Sequence, residues 1–327
     1  MKQIKTEDAV GQILCHDITQ IVRGVIKDAK FRKGHVITEE DIPVLLSLGK
    51  ENIYVWENDD TKLHENDAAE ILRRLCQGAG LEPTAVKEGK IELKAAYDGV
   101  IHIDEDKLNA VNEIDEICIA TVSNHIPVRR GKSVAGMRVI PLVIDKSKMD
   151  AVQIIAGSEP LIKIMPYKKF NVGLIVTGSE IFHKRVEDTF TPVIEAKLKN
   201  FGLMINERRL SDDSKEMTLS HINELINLGM DMIICTGGMS VDPDDRTPAA
   251  IRDSGADVVI YGVPVLPGAM FMLAYYKRDD ISIPIMGLPG CVMYCSKTVF
   301  DMVLPRVVAG EIIERNQLRH LGVGGLL

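Results

Sequence analysis

No run of basic residues long enough to follow a phosphate backbone occurs in this chain, whose formal charge is -8 from 39 basic and 47 acidic residues. Binding to nucleic acid rests on neutralising many phosphates, so no nucleic-acid partner is expected. No stretch of about eighteen apolar residues is present either, and no membrane-spanning helix is expected. The opening MKQIKTEDAVGQ lacks the apolar core of a secretory signal, which makes the cytoplasm the expected compartment. The six cysteines (Cys15, Cys76, Cys118, Cys235, Cys291, Cys295) include no C-x-x-C pair. Cys291 and Cys295 stand four apart without a histidine nearby, so zinc is not expected and buried free thiols are. No internal repeat is found.

What is present is a globular composition. The 327 residues are 46% apolar and 26% charged, enough for two or three domains with a sizeable core. Residues 1–60 read as a small α+β unit: FRKGHVITEEDIPVLLSLGK has Thr38 as the expected helix cap, and NIYVW follows as a strand. Residues 61–165 begin with an amphipathic helix carrying Ala68, Leu72, Leu75 and Cys76 on one stripe. Short alternating runs between glycines then predict a small β-barrel or sandwich. Residues 166–310 alternate strand and helix, and runs such as NVGLIVTG and MDMIICTGG suit strands buried on both faces. The pattern predicts a doubly wound α/β domain with a mainly parallel sheet. Residues 311–327 read as a C-terminal tail.

In such a sheet ligands bind beyond the carboxyl ends of the strands. Three glycine-bearing loops follow strands here: TGSEIF at 177–182, TGGMSVDPDDRTP at 236–248 and LPGCVMY at 288–294. Gly178, Gly237, Gly238 and Gly290 admit backbone conformations closed to other residues and let N–H groups approach a ligand. A helix starting near Cys291 would aim its positive end at an anion. Asp242, Asp244 and Asp245 precede a helix start where Thr247 is the expected cap and Pro248 the first residue. That placement accounts for the helix but not for Glu180 on a neighbouring loop, nor for Asp212 and Asp213 at the end of a third strand. Carboxylates around an anion-accepting crevice make chemical sense when Mg²⁺ joins them to a phosphate.

The segment from about 170 to 305 resembles the molybdopterin-binding domain shared by molybdopterin adenylyltransferases and molybdopterin molybdenumtransferases. The resemblance is carried, in the family's order, by TGSEI, Asp188-Thr189, SDD at 211–213, GGMSVDPDDRTP, PVLPGAM and GLPG. FRKGHVITEEDIPVLLSLGKENIYV also resembles a segment that in the molybdenumtransferases immediately precedes this domain; here it is displaced by about a hundred residues. The resemblance implies a molybdopterin ligand among the loops Thr177-Gly178-Ser179, Thr236-Gly237-Gly238 with Ser240, Pro267-Gly268 and Leu288-Pro289-Gly290. It implies Mg²⁺-dependent hydrolysis of adenylylated molybdopterin coupled to molybdate insertion. Asp245, Glu180 and Asp212 then take the catalytic places, and Asp245, Glu180 and Asp213 the metal places.

The chain departs from the family pattern at Ala269, where a lysine is usual, at Phe190, and after Gly290, where Asn-Pro is common. Ligand binding tolerates these departures better than catalysis does. A non-catalytic protein that stores molybdopterin or delivers it to a molybdoenzyme partner is the alternative, and a nucleotide pyrophosphate hydrolase a remote one. PVLPGAMFMLAYY and LGVGGLL are expected in the core, or at a homo-oligomer contact, with Met270 and Met272 as packing.

Overall fold

A computed structural model describes residues 2–22, 26–55, 59–240 and 246–327. The chain divides into two units, one made of Met1–Tyr97, Ile101–Asn124 and Val128–Ile164, the other of Asp98–Val100, His125–Pro127 and Met165–Leu327. Among the described residues no helix is long and apolar enough to cross a membrane.

Among the described residues the first unit has two hydrophobic cores. The smaller gathers Leu14, Ile18, Phe31, Ile37, Leu45 and Ile53 around the helix Asp41–Ser47. Thr38 does not cap that helix: its N–H and hydroxyl both donate to Oδ2 of Asp41, at 2.9 and 2.8 Å, and the helix starts three residues later. The larger core lies between the helix Glu65–Cys76 and an antiparallel sheet with strands in the order Leu81–Pro83, Ile91–Ala95, Ser133–Val139, Ile117–Thr121. Ala68, Ala69, Leu72 and Cys76 recur at helical spacing and are buried, as an amphipathic helix on a sheet requires. This region also holds the helices Glu105–Asn112 and Lys146–Ala156, so it carries more helix than its alternating runs imply.

The second unit is an open sheet with helices on both faces. Its elements run β1 (Val172–Thr177), α1 (Ser179–Phe182), α2 (Phe190–Lys199), β2 (Ile205–Ser211), α3 (Lys215–Asn227), β3 (Met232–Thr236), α4 (Thr247–Asp253), β4 (Asp257–Tyr261), β5 (Met272–Arg278), β6 (Ile281–Leu288), α5 (Val299–Val308) and α6 (Arg315–Arg319). The strand order is β2-β1-β3-β6-β5-β4. β2, β1, β3 and β6 are parallel, while β5 runs antiparallel to β6 and the edge strand β4 antiparallel to β5. Every residue of β1 and β3 is buried, which is why their sequences carry no charged residue and are apolar up to a closing threonine. Leu174 and Val176 share one core with Ile194, Leu198 and Phe300, whereas Ile175 shares the other with Ile222, Leu225 and Ile251.

The chain leaves β1 toward β2 on one side and returns to β3 on the other. That reversal makes a topological switch point between the carboxyl ends of β1 and β3, the place where such sheets open a crevice. Residues beyond 310 pack into the same unit: Ile313 and Leu318 are buried, and Leu266 N–H donates to Gly325 O at 3.1 Å.

Candidate functional site

A cleft of about 420 Å³ opens at the carboxyl ends of β3 and β6, lined by Gly237, Gly238, Met239, Ser240, Ala269, Met270, Pro289, Gly290, Cys291, Met293 and Tyr294. Two of the glycine loops and the PGAM turn therefore meet on one space. None of the described lining residues carries a charge, and four of them contribute sulfur.

The glycine loop after β3 is held from beneath. Gly237 has φ +83, and a Cβ there would stand 2.0 Å from the carbonyl oxygen of Thr177, so no side chain fits between the ends of β1 and β3. Gly238 also lies in the left-handed region, at φ +59. Thr247 is the first residue of α4 and not its cap: its hydroxyl donates to Gly237 O at 2.9 Å and its N–H to Gly238 O at 3.2 Å. The helix start thus clamps the loop. Thr177 is buried, and its Oγ1 has no hydrogen-bond partner among the described residues. An unpaired buried hydroxyl is costly, and one beside a glycine cradle fits a ligand that supplies the missing partner.

The acids are distributed differently from the glycines. Ser179 N–H donates to Oδ2 of Asp213 at 3.0 Å, joining the loops after β1 and β2. Asp212 accepts from Ser214 N–H at 2.9 Å, and hydrogen bonding by Ser214 holds its carboxyl below the usual range. Glu180 is solvent-exposed in α1. Asp242, Asp244 and Asp245 lie outside the described residues. Among the described residues no three His, Cys, Asp or Glu side chains come close enough together to hold a metal ion. Asp188 serves structure: it accepts from the N–H groups of Phe190 and Thr191 at the start of α2 and pairs with Arg208 at 3.2 Å.

Several expected positions are not in the cleft lining. Thr236 and Leu288 are fully buried, Gly268 packs against Val299, Pro267 precedes it outside the lining, and Thr177, Gly178 and Ser179 make the junction of β1 with α1. Gly290–Met293 is a single 3-10 turn; α5 begins only at Val299, where Thr298 and Asp301 form a capping box, so no helix dipole points out at Cys291. Three of the six cysteines are buried, Cys118 is exposed, and Cys291 and Cys295 are half-buried. Burial, then the neighbouring Cys295, pushes the Cys291 thiol up, so it is no ready nucleophile. Met272 is packing as expected, but Met270 lines the cleft. Tyr294 ends the LPGCVMY loop but has no expected role of its own; its signal is an aromatic side chain 77% exposed beside a glycine turn.

In a doubly wound α/β domain the carboxyl ends of the strands, where this cleft lies, are the place where ligands bind when they bind. Residues 173–309 match the family described as "Probable molybdopterin binding domain", and this segment is similar to domains of molybdenum cofactor biosynthesis. Residues 3–57 match a "Domain of unknown function (DUF8806)". A molybdopterin molybdenumtransferase of Staphylococcus epidermidis is 25% identical over 120 residues, 35% of this chain and 28% of that protein. A CinA-like protein of Mycobacterium avium is 28% identical over 89 residues, 27% of this chain and 20% of that protein. The chain thus spans under a third of the length of the curated relatives it matches. Among solved structures, the molybdopterin biosynthesis enzyme MoaB of Thermus thermophilus is 22% identical with a TM-score of 0.35, covering 43% of this chain and 98% of that one.

Proposed function

We propose that the cleft binds molybdopterin or its adenylylated form and that the protein acts at the molybdenum-inserting step, with molybdate as second substrate. The observation that carries this reading is the close approach of Gly237 to Thr177 at the ends of β3 and β1, together with a buried Thr177 hydroxyl that has no partner among the described residues. In this reading the Gly237-Gly238 and Pro289-Gly290 backbones hold the ligand, and Met239, Met270 and Met293 exclude water around its ring. Asp213 positions the Ser179 loop. Glu180, the Asp213 oxygen that is in no hydrogen bond with a described residue, and Asp245 are the groups that would hold Mg²⁺. Bound there, Mg²⁺ supplies charge neutralisation for phosphate oxygens.

One observation favours binding without turnover. Ala269 lines the cleft, and no cation stands among the described lining residues to meet phosphate or molybdate. Storage or delivery of the cofactor to a molybdoenzyme is the second reading. Incubating the purified protein with adenylylated molybdopterin, molybdate and Mg²⁺ separates them: release of AMP supports the first reading, and saturable pterin binding without AMP supports the second. No binding of either pterin form would sink both, leaving the similarity as one of fold.

A further inference from the structure

The first unit contains a polar cleft of about 330 Å³ that the proposed function does not use; His16, Asp17, Tyr54, Glu65, Glu88 and Arg138 are among its lining residues. His64, 4% exposed, also lines it and caps the helix Glu65–Cys76. His64 Nδ1 accepts from Asn66 N–H at 3.1 Å while Nε2 donates to Cys15 O at 2.6 Å. Those two bonds define a neutral imidazole, and burial lowers its pKa accordingly.

The next residue is the unusual one. Glu65 has a side chain only 12% exposed, yet its nearest cation is Arg138 NH2 at 3.9 Å, and its carboxylate accepts no hydrogen bond from a described residue. Room for it is made by Gly89, at φ +68, where a Cβ would lie 2.5 Å from Glu65 Oε2. Burial pushes the Glu65 carboxyl up, the expected response of an acid without a close partner. Beside it, His16 Nδ1 is buried with no hydrogen-bond partner, and the His16 ring meets Tyr54 edge-on at 6.3 Å.

Asp17 accepts from Lys33 N–H at 2.7 Å and Glu88 from the Thr19 hydroxyl at 2.8 Å, which leaves the Glu65 carboxylate as the acceptor in this cleft without a hydrogen bond from a described residue. A metal ion needs several protein ligands at once, and among the described residues no such group of three exists. A cation that brings its own N–H donors has no such requirement. A volume near the lower end of ligand pockets, roughly 300 Å³ upward, suits a small one. We propose that this cleft binds a small planar organic cation of the guanidinium or amidinium class, its paired N–H groups on the Glu65 carboxylate and its face toward Tyr54. The fork matches a carboxylate with both oxygens available, and an aromatic face attracts a cation within about 6 Å.

Titration of the full chain with methylguanidinium chloride at constant ionic strength tests this, following the backbone amide resonances of Asn66 and Gly89. Saturable shifts are expected, weakened about tenfold or more in Glu65→Gln at an unchanged thermal midpoint. Tyr54→Leu, at a part-exposed position, serves as the second variant and is expected to weaken binding about threefold. No saturable shift at tens of millimolar, or equal affinity in the parent and Glu65→Gln, overturns the site. Equal affinity for methylammonium overturns the planar class.

Discussion

The backbone N–H of Ser179 donates to Oδ2 of Asp213 across 3.0 Å, so a carboxylate at the end of one strand holds the loop at the end of its neighbour. Asp213→Ala removes a charge-assisted bond and releases the TGSE loop. The expected cost is about 1–2 kcal/mol in denaturant unfolding, with weaker pterin binding in calorimetry. An unfolding curve that does not move would mean solvent replaces the carboxylate.

Gly237→Ala is expected to be far worse than an ordinary glycine replacement. Its φ of +83 already disfavours alanine, and the new Cβ would sit 2.0 Å from Thr177 O, a main-chain atom that moves only with β1. About 2 kcal/mol or more should be lost, together with the ligand site. Gly49→Ala is the control: φ is +73 but nothing lies within 4 Å of the added carbon, and about 1 kcal/mol is expected.

How far these positions were legible follows from what each sequence pattern encodes. NVGLIVTG and MDMIICTGG announce strands buried on both faces because no residue between Val172 and Thr177, or between Met232 and Thr236, reaches solvent. The glycine loops follow from those strands, since a parallel sheet puts its strand ends on one side. The sulfur-bearing part of the cleft wall was not legible. Met270 read as packing and Cys291 as a buried thiol because residue type does not say whether a half-buried sulfur faces a core or a cleft. Thr247 read as a cap because cap preference is local, whereas its actual partner, Gly237 O, is ten residues away. The helices Glu105–Asn112 and Lys146–Ala156 are short and lie between β-patterned runs, so helical periodicity had little length to show itself.

Arg306 is 3% exposed and pairs with Glu311 through two bonds, Nε to Oε2 at 3.0 Å and NH2 to Oε1 at 2.5 Å; His125 Nδ1 lies 3.4 Å from Oε1. Burial alone would raise the Glu311 carboxyl, but His125 and Arg306 outweigh it and hold it at about 2, against an ordinary 4.5. A depressed carboxylate contributes stability that is fully present above about 4.5 and is lost as pH falls toward about 2. Allowing for partial solvent screening, about 2 kcal/mol is involved. Glu311→Gln strands a buried guanidinium and should cost about 3 kcal/mol at neutral pH. It should also flatten the acid limb of the stability–pH curve. An unchanged acid limb in the variant would assign acid unfolding to other carboxylates.

Ala269→Lys tests whether a missing cation limits the cleft. Residue 269 is half-buried in the lining, beside Met270 and across from the Pro289-Gly290 turn, so a lysine stem has apolar surface to lie on while its ammonium reaches the open space. If an anionic group of the ligand enters there, a unit charge within several ångströms in a partly screened site should tighten binding by about tenfold. The gain must shrink as ionic strength rises past the point where the screening length falls below roughly 10 Å. Calorimetry with molybdopterin at two salt concentrations measures both quantities. A salt-insensitive gain would assign the effect to packing of the lysine stem, and no gain at low salt would mean the phosphate does not approach residue 269. Turnover appearing in Ala269→Lys and absent from the parent would identify the natural chain as the binding form of this domain, with the alanine as the cause.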